Sequence, residues 1–248
     1  QRITSLAGAS DVVLSDDGRF VYVASETDRQ ITVFARDANG DLSVVQAIGN
    51  PFNLSPYETI SVKSGSGDRL AFAGADSVLK FNRDPATGLL SVPNGYLVGG
   101  SVDSAYSTDG AYLYTVGQDT LRVHDGDTML RLLEQVGIAG ASAVAVVLAV
   151  DNLHEHVYVA GSAGSLHVFE RTLGSATLDR KVDMLLQEDV DGIRGLVGAT
   201  GLQVSADGSL LYVMASGPAG NTLTAFARNA DGSLAFAQVL RGGVGLSA

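Results

Sequence analysis

The chain has 248 residues, of which 46% are hydrophobic and 17% are charged, and its formal net charge is −11. This composition excludes a disordered chain, and the negative charge disfavours nucleic acid and anionic membrane surfaces as partners. The absence of cysteine excludes disulfides, zinc–thiolate sites and cysteine nucleophiles. No apolar run approaches the roughly 20 residues that span a bilayer, so we expect no insertion into membranes.

One phrase of sequence recurs along the chain: a small turn, usually ending in glycine, and then a hydrophobic strand with a central aromatic residue. Its five copies occupy residues 15–24, 66–74, 107–116, 151–160 and 205–214. The central aromatic residues, at successive separations of 50, 42, 44 and 54 positions, are Tyr22, Phe72, Tyr114, Tyr158 and Tyr212. A period of about 40–50 residues is typical of propeller blades rather than of leucine-rich or ankyrin repeats.

Further short strands flank each copy. In the first repeat, residues 11–14 predict the strand before the turn, residues 31–37 the strand after the aromatic one, and residues 42–48 a fourth strand. The stretch 129–136 is the most helix-like of the chain, but it stands where other copies have their fourth strand, so we predict a strand there. Four short strands per period, joined by glycine-containing turns, predict an antiparallel sheet.

Strands such as residues 20–24 are apolar on both faces, which predicts cover on both sides, as in stacked blades. We therefore predict an all-β fold: one β-propeller domain over residues 1–248, with four-stranded antiparallel blades and about five repeats. Residues 3–6 and 242–248 are strand-like as well and leave open a sixth blade. We interpret the chain as a segment of a longer repetitive protein.

These phrases resemble the repeats of the lactonase-type and YVTN-type bacterial β-propeller families. Blades of those families carry a Ser-Pro-Asp-Gly turn, a Tyr-Val strand and a following strand of the form Val-x-Val-Tyr. The resemblance extends over nearly the whole chain, although those families usually close seven blades and this chain carries five full copies. It implies the propeller fold and, by fold-level analogy alone, the hydrolysis of lactones.

In a four-stranded meander, the first and third turns lie on one side, which we call the constant side because those turns are short and uniform here. The opposite side, the variable side, carries connections that differ in length and content, and such loops on a rigid frame concentrate binding residues. We expect partner contacts from connections 25–30, 49–58 and 187–201. The predicted partner-binding residues are Glu26, Asp28, Arg29, Asn53, Tyr57, Glu188, Asp189, Asp191 and Arg194.

The acidic stretch 187–194 is the clearest departure from the repeat, and three interpretations of it remain open. It coordinates calcium, it contacts a partner, or it is a solvated insertion, of which we favour the last. The turns 37–41 and 124–127 lack the 12-residue calcium loop with its terminal glutamate, so hairpin geometry explains them better. We expect no cofactor, with calcium as the one ion left open.

Arginine recurs at the end of the third strand, as Arg36, Arg83, Arg171 and Arg228. These residues form either a cationic ring or pairs with an acid in the neighbouring turn of their own blade, namely Asp17, Asp68 or Asp207. We favour the pairs because the charge repeats with the scaffold. We also expect Arg36 and Arg228 to lie within hydrogen-bonding reach of acids or carbonyl groups in adjacent turns.

No catalytic set stands out. His154 and His156 could chelate a metal, but no third ligand is evident, and the Gly-x-Ser-x-Gly elbow of many hydrolases is absent. The leading hypothesis is a non-catalytic binding or scaffold module of a secreted or surface-attached bacterial protein, with a protein or carbohydrate ligand on the variable side. The alternative is a lactone-hydrolysing enzyme. A third function, electron transfer, is disfavoured by the absence of tryptophan and cysteine.

Overall fold

The computed structural model describes residues 5–15, 17–49, 57–63, 69–74, 77–91, 94–96, 100–127, 132–181, 184–218 and 220–242. Regular structure in these residues is almost entirely β-strand. The strands are β1 (Ala9–Leu14), β2 (Phe20–Ser25), β3 (Gln30–Arg36), β4 (Leu42–Gly49), β5 (Tyr57–Lys63), β6 (Arg69–Gly74), β7 (Ser77–Asn82), β8 (Asn94–Tyr96), β9 (Asp103–Tyr106), β10 (Tyr112–Gly117), β11 (Thr120–Asp125), β12 (Leu132–Gly137), β13 (Ala141–Leu148), β14 (His154–Gly161), β15 (Ser165–Thr172), β16 (Asp179–Arg180), β17 (Leu186–Gln187), β18 (Ala199–Val204), β19 (Leu210–Gly217), β20 (Gly220–Arg228) and β21 (Leu234–Arg241).

The described residues form five sheets that follow one another along the chain, each with its strands in sequence order, and we call them blades 1 to 5. Blade 1 contains β1–β4, blade 2 β5–β8, blade 3 β9–β12, blade 4 β13–β17 and blade 5 β18–β21. In blade 4 the fourth position is split, because β16 and β17 pair with opposite ends of β15. These sheets confirm the predicted all-β propeller fold with five repeats.

The strand bounds bear on two predictions, namely the fourth strand at residues 129–136 and the possible sixth blade. The helix-like stretch is a strand from Leu132 onwards, so the prediction of a fourth strand there is confirmed for the described residues. The proposed sixth blade falls mainly on residues 1–4 and 243–248, which lie outside the described residues.

The chain divides into two compact units, each with its own apolar core. The first unit comprises residues Gln1–Tyr106, Gly110–Thr115 and His124–Arg131, and the second comprises Ser107–Asp109, Val116–Val123 and Leu132–Ala248. The main core of the first unit contains Phe20, Tyr22, Ala24, Ile31, Val33, Leu79, Phe81 and Leu90. The core of the second unit contains Ala143, Ala145, Tyr158, Ala160, Leu166, Val168, Ile193, Leu196, Ala199, Leu211, Val213 and Phe226.

The recurring serine–aspartate turn has a local cause. In blade 1 the Ser15 hydroxyl donates to Asp17 at 2.6 Å and accepts from the Phe20 amide at 3.0 Å, while Gly18 adopts a φ of 68°. The same serine-to-aspartate bond, also of 2.6 Å, links Ser107 to Asp109 and Ser205 to Asp207. Each turn therefore satisfies its own polar groups, and only glycine takes the left-handed position without strain.

Blades 1 and 2 are joined on the constant side by a contact that we call the tyrosine interlock. The Tyr22 hydroxyl donates to the Gly88 carbonyl oxygen at 2.9 Å and accepts from Arg83 Nε at 2.8 Å. The Gly88 backbone lies directly against the Phe20 ring, where any Cβ atom would overlap it. Tyr22 is fully buried, so its hydroxyl requires these partners.

Blades 4 and 5 repeat the interlock with different residues. The Tyr158 hydroxyl donates to the Gly232 carbonyl oxygen at 2.9 Å and accepts from Arg228 Nε at 2.9 Å. A Cβ atom on Gly232 would meet the His156 ring, which occupies the position of Phe20. The interlock thus has four positions: an apolar or histidine ring and a tyrosine on one blade, and an arginine and a turn glycine on the next.

The prediction that the repeated arginines bond to groups in neighbouring turns is confirmed, but the prediction that their acidic partners belong to their own blade is wrong. Arg36 reaches the Gly18 carbonyl oxygen at 3.4 Å and Arg228 reaches that of Gly208 at 2.8 Å, as expected for adjacent turns. The turn acids, however, come from the preceding blade, because Arg83 pairs with Asp17 at 3.3 Å. Arg83 and Arg228 therefore both reach the blade before their own, through Asp17 and Tyr158.

Arg171, in the second unit, also pairs with an acid of the preceding blade. It is fully buried, and it pairs with Asp109 of the preceding blade at 2.9 Å and with Glu155 of its own blade at 2.7 Å. Glu155 also accepts from the Thr108 amide and hydroxyl, both at 2.7 Å. The remaining partner expected for this set, Asp68, lies outside the described residues.

Candidate functional site

A cavity of about 510 Å³ opens on the variable side of blade 4, and we call it the His167 cavity. Its walls come from the end of β12, the β14–β15 turn, β15 itself, and the two short strands β16 and β17. The lining residues are Gly137, Ile138, Ala139, Ala163, Gly164, Ser165, His167, Arg180, Gln187 and Glu188. A cavity of this size, with small apolar residues and a few polar groups, suits a ligand of monosaccharide size.

His167 occupies the β15 position that holds threonine, Thr32 and Thr224, in blades 1 and 5. It is 6% exposed. Burial, with a smaller contribution from the Arg180 charge, lowers its pKa to about 4, so the ring is neutral at neutral pH. Its Nδ1 atom accepts a hydrogen bond from Arg180 Nη2.

Because Nδ1 is an acceptor, the ring proton lies on Nε2, and this atom donates to Ser165 Oγ at 3.1 Å. The hydrogen bonds therefore run from Arg180 through His167 to Ser165. A histidine that activates a serine nucleophile must accept from the hydroxyl instead. Ser165 and His167 consequently do not form a nucleophile–base pair.

Glu188 follows β17 and contributes the cavity's carboxylate. Its two oxygens accept from the amides of Gly195 at 3.0 Å and Leu196 at 2.6 Å. The side chain is half-buried, and each carboxylate oxygen retains acceptor capacity after one such bond. Glu188 thus both closes its own loop and presents a negative charge at the cavity wall.

The loop that follows Glu188 is anchored in the core. Ile193 and Leu196 are buried within the apolar core of the second unit, and the Asp189 amide donates to the Ile193 carbonyl oxygen at 3.0 Å. Within the stretch 187–194, residues 187 and 189–192 are exposed, in keeping with a solvated insertion, and only Ile193 near its end is buried in the core.

A second cavity, of about 300 Å³, shares Glu188 with the first, and we call it the Arg194 cavity. Arg194 pairs there with Asp189 at 2.7 Å. The lining residues are Glu188, Asp189, Arg194, Gly195, Val197, Gly217, Pro218, Gly220, Thr222 and Arg241. Two carboxylates and two guanidinium groups give this cavity a balanced formal charge.

Comparison with known proteins shows which folds this chain resembles. The model of the family described as "Lactonase, 7-bladed beta-propeller" matches residues 1–104. The chain resembles the lactonase-type β-propellers. The family description specifies seven blades, whereas the described residues of this chain form five sheets.

Solved structures with a similar fold align with most of the chain. A candidate 6-phosphogluconolactonase from Bacteroides uniformis aligns with a TM-score of 0.73 at 20% identity, over 98% of this chain and 75% of that one. The periplasmic gluconolactonase of Pseudomonas aeruginosa aligns with a TM-score of 0.72 at 21% identity, over 98% and 74%. Hydrazine synthase of Kuenenia stuttgartiensis aligns with a TM-score of 0.63 at 14% identity, over 95% and 67%. These identities establish the fold and not the activity, and no curated sequence matches significantly.

Three of the predicted partner-binding residues come together around one cavity. Glu188, Asp189 and Arg194 all line the Arg194 cavity, and Glu188 lines the His167 cavity too. Asp191 lies at the exposed loop tip with a φ of 51° and lines neither. Both cavities thus lie at the acidic loop, and its acids contribute unequally to their walls.

The other predicted residues lie in the first unit. Glu26 and Arg29 are exposed in the β2–β3 turn, where Asp28 accepts from the Ala7 amide at 2.7 Å. Tyr57 begins β5. Asn53 lies outside the described residues.

Sequence reasoning did not assign Ser165, His167 and Arg180 to a site. The available signal was the histidine itself, which replaces threonine on a strand that otherwise keeps the repeat. Arg180 carried no signal, since blade 4's outer edge departs from the pattern. Within the described ranges, no group of three or more histidines and acids is placed to hold a metal ion, and no helix is long and apolar enough to cross a membrane.

Proposed function

We propose that this chain hydrolyses lactones of sugar acids and that the His167 cavity receives the substrate. The observation that carries the proposal is the presence of a carboxylate, Glu188, and a guanidinium group, Arg180, in the wall of one monosaccharide-sized cavity. The resemblance to lactonase-type propellers supports the choice of reaction. This function corresponds to the alternative of the sequence analysis rather than to its leading hypothesis.

Lactone hydrolysis needs a nucleophile at the carbonyl carbon and a positive group near the oxygen on which charge develops. Glu188 supplies a base that takes a proton from water as the water oxygen bonds to that carbon. Arg180 stabilises the resulting oxyanion. When the tetrahedral intermediate collapses, the ring C–O bond breaks, and the proton held by Glu188 passes to the leaving ring oxygen, which gives the hydroxy acid and restores the carboxylate. Water is the nucleophile because the Ser165 hydroxyl already accepts from His167 and lacks a base.

His167 orients the guanidinium group. A neutral ring accepts from Arg180 without adding a second positive charge, and Arg180 also lies over the Phe169 ring, with 5.8 Å between its Cζ and the ring centroid. These two contacts hold one face of Arg180 and leave its other donors for the substrate. The lowered pKa of His167 keeps this arrangement at any pH well above 4.

The test is turnover of a panel of aldonolactones, followed by pH-stat titration of the acid released. We expect Glu188→Gln to lower kcat by about 10²–10⁴-fold, the usual contribution of a general base. Asp191→Asn is the matched control, because it lies in the same loop, lines neither cavity, and asparagine tolerates its left-handed backbone. Absence of turnover in the wild type, or equal turnover in Glu188→Gln with intact circular dichroism, would refute hydrolysis at this cavity.

A non-catalytic role as a sugar-acid binding module is the second candidate. It is favoured by the two amide bonds through which Glu188 closes its own loop, since a carboxylate held in place by such bonds is not free to turn towards a water molecule. Titration calorimetry with aldonic acids separates the two functions. Saturable binding that Arg180→Ala abolishes, without turnover of the lactones, supports the binding module.

A further inference from the structure

The His167 cavity and the Arg194 cavity are neighbours on the variable side, and Glu188 belongs to the wall of both. The backbone between them is tightly packed, because a Cβ atom on Gly164 would lie 2.9 Å from both Glu188 Cβ and Val197 Cγ2. Gly164 lines the first cavity and Val197 lines the second. A single layer of side chains therefore separates the two cavities.

The loop wall of the Arg194 cavity is fixed on blade 5 before any ligand binds. The Thr222 hydroxyl donates to the Gly195 carbonyl oxygen at 3.0 Å, and the Thr224 hydroxyl donates to the Arg194 carbonyl oxygen at 3.2 Å. Both threonines are buried. A Cβ atom on Gly195 would lie 2.5 Å from Thr224 Oγ1, so the loop backbone lies directly on β20. A wall fixed in this way loses little conformational entropy when a ligand binds.

The polar groups of the Arg194 cavity suit a neutral ligand that is rich in hydroxyl groups. Arg194 Nη1 donates to the Ile193 carbonyl oxygen at 2.9 Å and pairs with Asp189 Oδ1 at 2.7 Å. No hydrogen bond among the described residues engages its Nε or Nη2, so these donors are available to a ligand. Arg241 lies opposite Thr222 in the β20–β21 register and adds a second guanidinium group to the wall. A hydroxyl group both accepts from a guanidinium group and donates to a carboxylate, whereas an ion would meet a like charge in this balanced set.

The size of the Arg194 cavity agrees with this chemistry. Its volume of about 300 Å³ is at the lower end of the range for small-molecule sites and suits a single sugar ring. Two ring-sized cavities with one wall residue in common match two sugar rings joined by a single glycosidic oxygen. A monosaccharide lactone in the His167 cavity would leave the donors of the Arg194 cavity to water.

We propose that the Arg194 cavity is a second sugar subsite and that the substrate is the lactone of an aldobionic acid, in which a further sugar is linked to the aldonic ring. The inference rests on the proposed function, in which the His167 cavity holds the lactone ring. The linked sugar crosses the wall formed by Gly164 and Glu188. Its hydroxyl groups accept from Arg194 and Arg241 and donate to Asp189. The two arginines determine specificity for the linked sugar without contact to the lactone carbonyl.

The kinetic test compares kcat/KM for maltobionolactone, cellobionolactone and lactobionolactone with that for gluconolactone. We expect at least one disaccharide lactone to exceed gluconolactone by about 10-fold or more, the contribution of a hydrogen bond to a charged group. Arg194→Ala and Arg241→Ala should each lower this ratio by about 10-fold. Asp191→Asn is the matched control and should leave the ratio unchanged, because Asp191 lies in the same loop and lines neither cavity.

The ratio separates recognition of the linked sugar from damage to the loop. A substitution that only misplaces Glu188 lowers turnover of both kinds of lactone and leaves their ratio unchanged. Arg241→Ala is the cleaner variant, since Arg241 has no hydrogen bond to the loop among the described residues. Equal kcat/KM for disaccharide lactones and gluconolactone, or a ratio that neither arginine variant lowers, would overturn the second subsite.

Titration calorimetry tests the subsite independently of turnover. The probes are maltobionic, cellobionic and lactobionic acids, each compared with gluconic acid. We expect at least one aldobionic acid to bind about 10-fold more tightly than gluconic acid, and Arg241→Ala should abolish this difference. Aldobionic acids that bind no more tightly than gluconic acid, or that do not bind, contradict the second subsite. Selective binding without turnover of any lactone refutes hydrolysis and retains the subsite, so the two failures are distinguishable.

Discussion

Replacement of Tyr158 by phenylalanine tests the tyrosine interlock directly. The substitution removes one hydroxyl and leaves the ring, so it deletes the 2.9 Å bonds to the Gly232 carbonyl oxygen and to Arg228 Nε without creating a large cavity. Tyr158 is fully buried, so both former partners lose a hydrogen bond that water cannot replace. A buried partner left unsatisfied costs about 1–3 kcal/mol, which predicts a loss of about 2–3 kcal/mol of unfolding free energy.

The assay is urea denaturation followed by far-ultraviolet circular dichroism, together with thermal melting. For a chain of this length the expected loss corresponds to a fall in Tm of roughly 5–10 °C. Tyr212→Phe is the matched control, because the Tyr212 hydroxyl has no hydrogen bond within the described ranges, and it should change stability by less than about 0.5 kcal/mol. Equal costs for the two substitutions, or a Tyr158→Phe protein as stable as the wild type, would refute the assignment of stability to the interlock.

Three further predictions follow from single residues. Gly232→Ala should cost at least about 1 kcal/mol more in urea denaturation than Gly40→Ala, since both have positive φ but only Gly232 lies against a ring; equal costs would contradict this. Glu155→Gln should cost about 3–5 kcal/mol in the same assay because it removes one charge of a fully buried pair with Arg171, and a cost under about 1 kcal/mol would show the pair to be dispensable. His167 has its pKa lowered from about 6.5 to about 4, so the unfolded chain takes up its proton first, and the stabilisation present above pH 6.5 is lost as the pH falls towards 4. His167→Asn should therefore flatten the stability profile between pH 6.5 and 4 relative to the wild type, and parallel profiles would contradict it.

The sequence by itself determined the strands, the turns and the repeat. The alternation of side chains along a strand and the left-handed backbone of a turn glycine are local properties. Gly18 therefore predicts a turn, and Tyr22 predicts a strand, from the neighbouring sequence alone. The aromatic period also predicted the number of blades, because each copy must supply one tyrosine or phenylalanine to the same layer. The strand at 132–137 was predictable for the same reason, from its place in the repeat.

Only the tertiary structure decided which residues meet. The repeat in the sequence predicts that Arg83 pairs with an acid in a turn of its own blade. In the structure Arg83 contacts Asp17 of the preceding blade, 66 positions earlier in the chain. Likewise His167, Arg180 and Glu188 converge because the fourth strand of blade 4 is split into β16 and β17, and no periodic pattern records that break. Contacts of this kind depend on how sheets stack and how an edge departs from the repeat, and these are properties of packing rather than of local sequence.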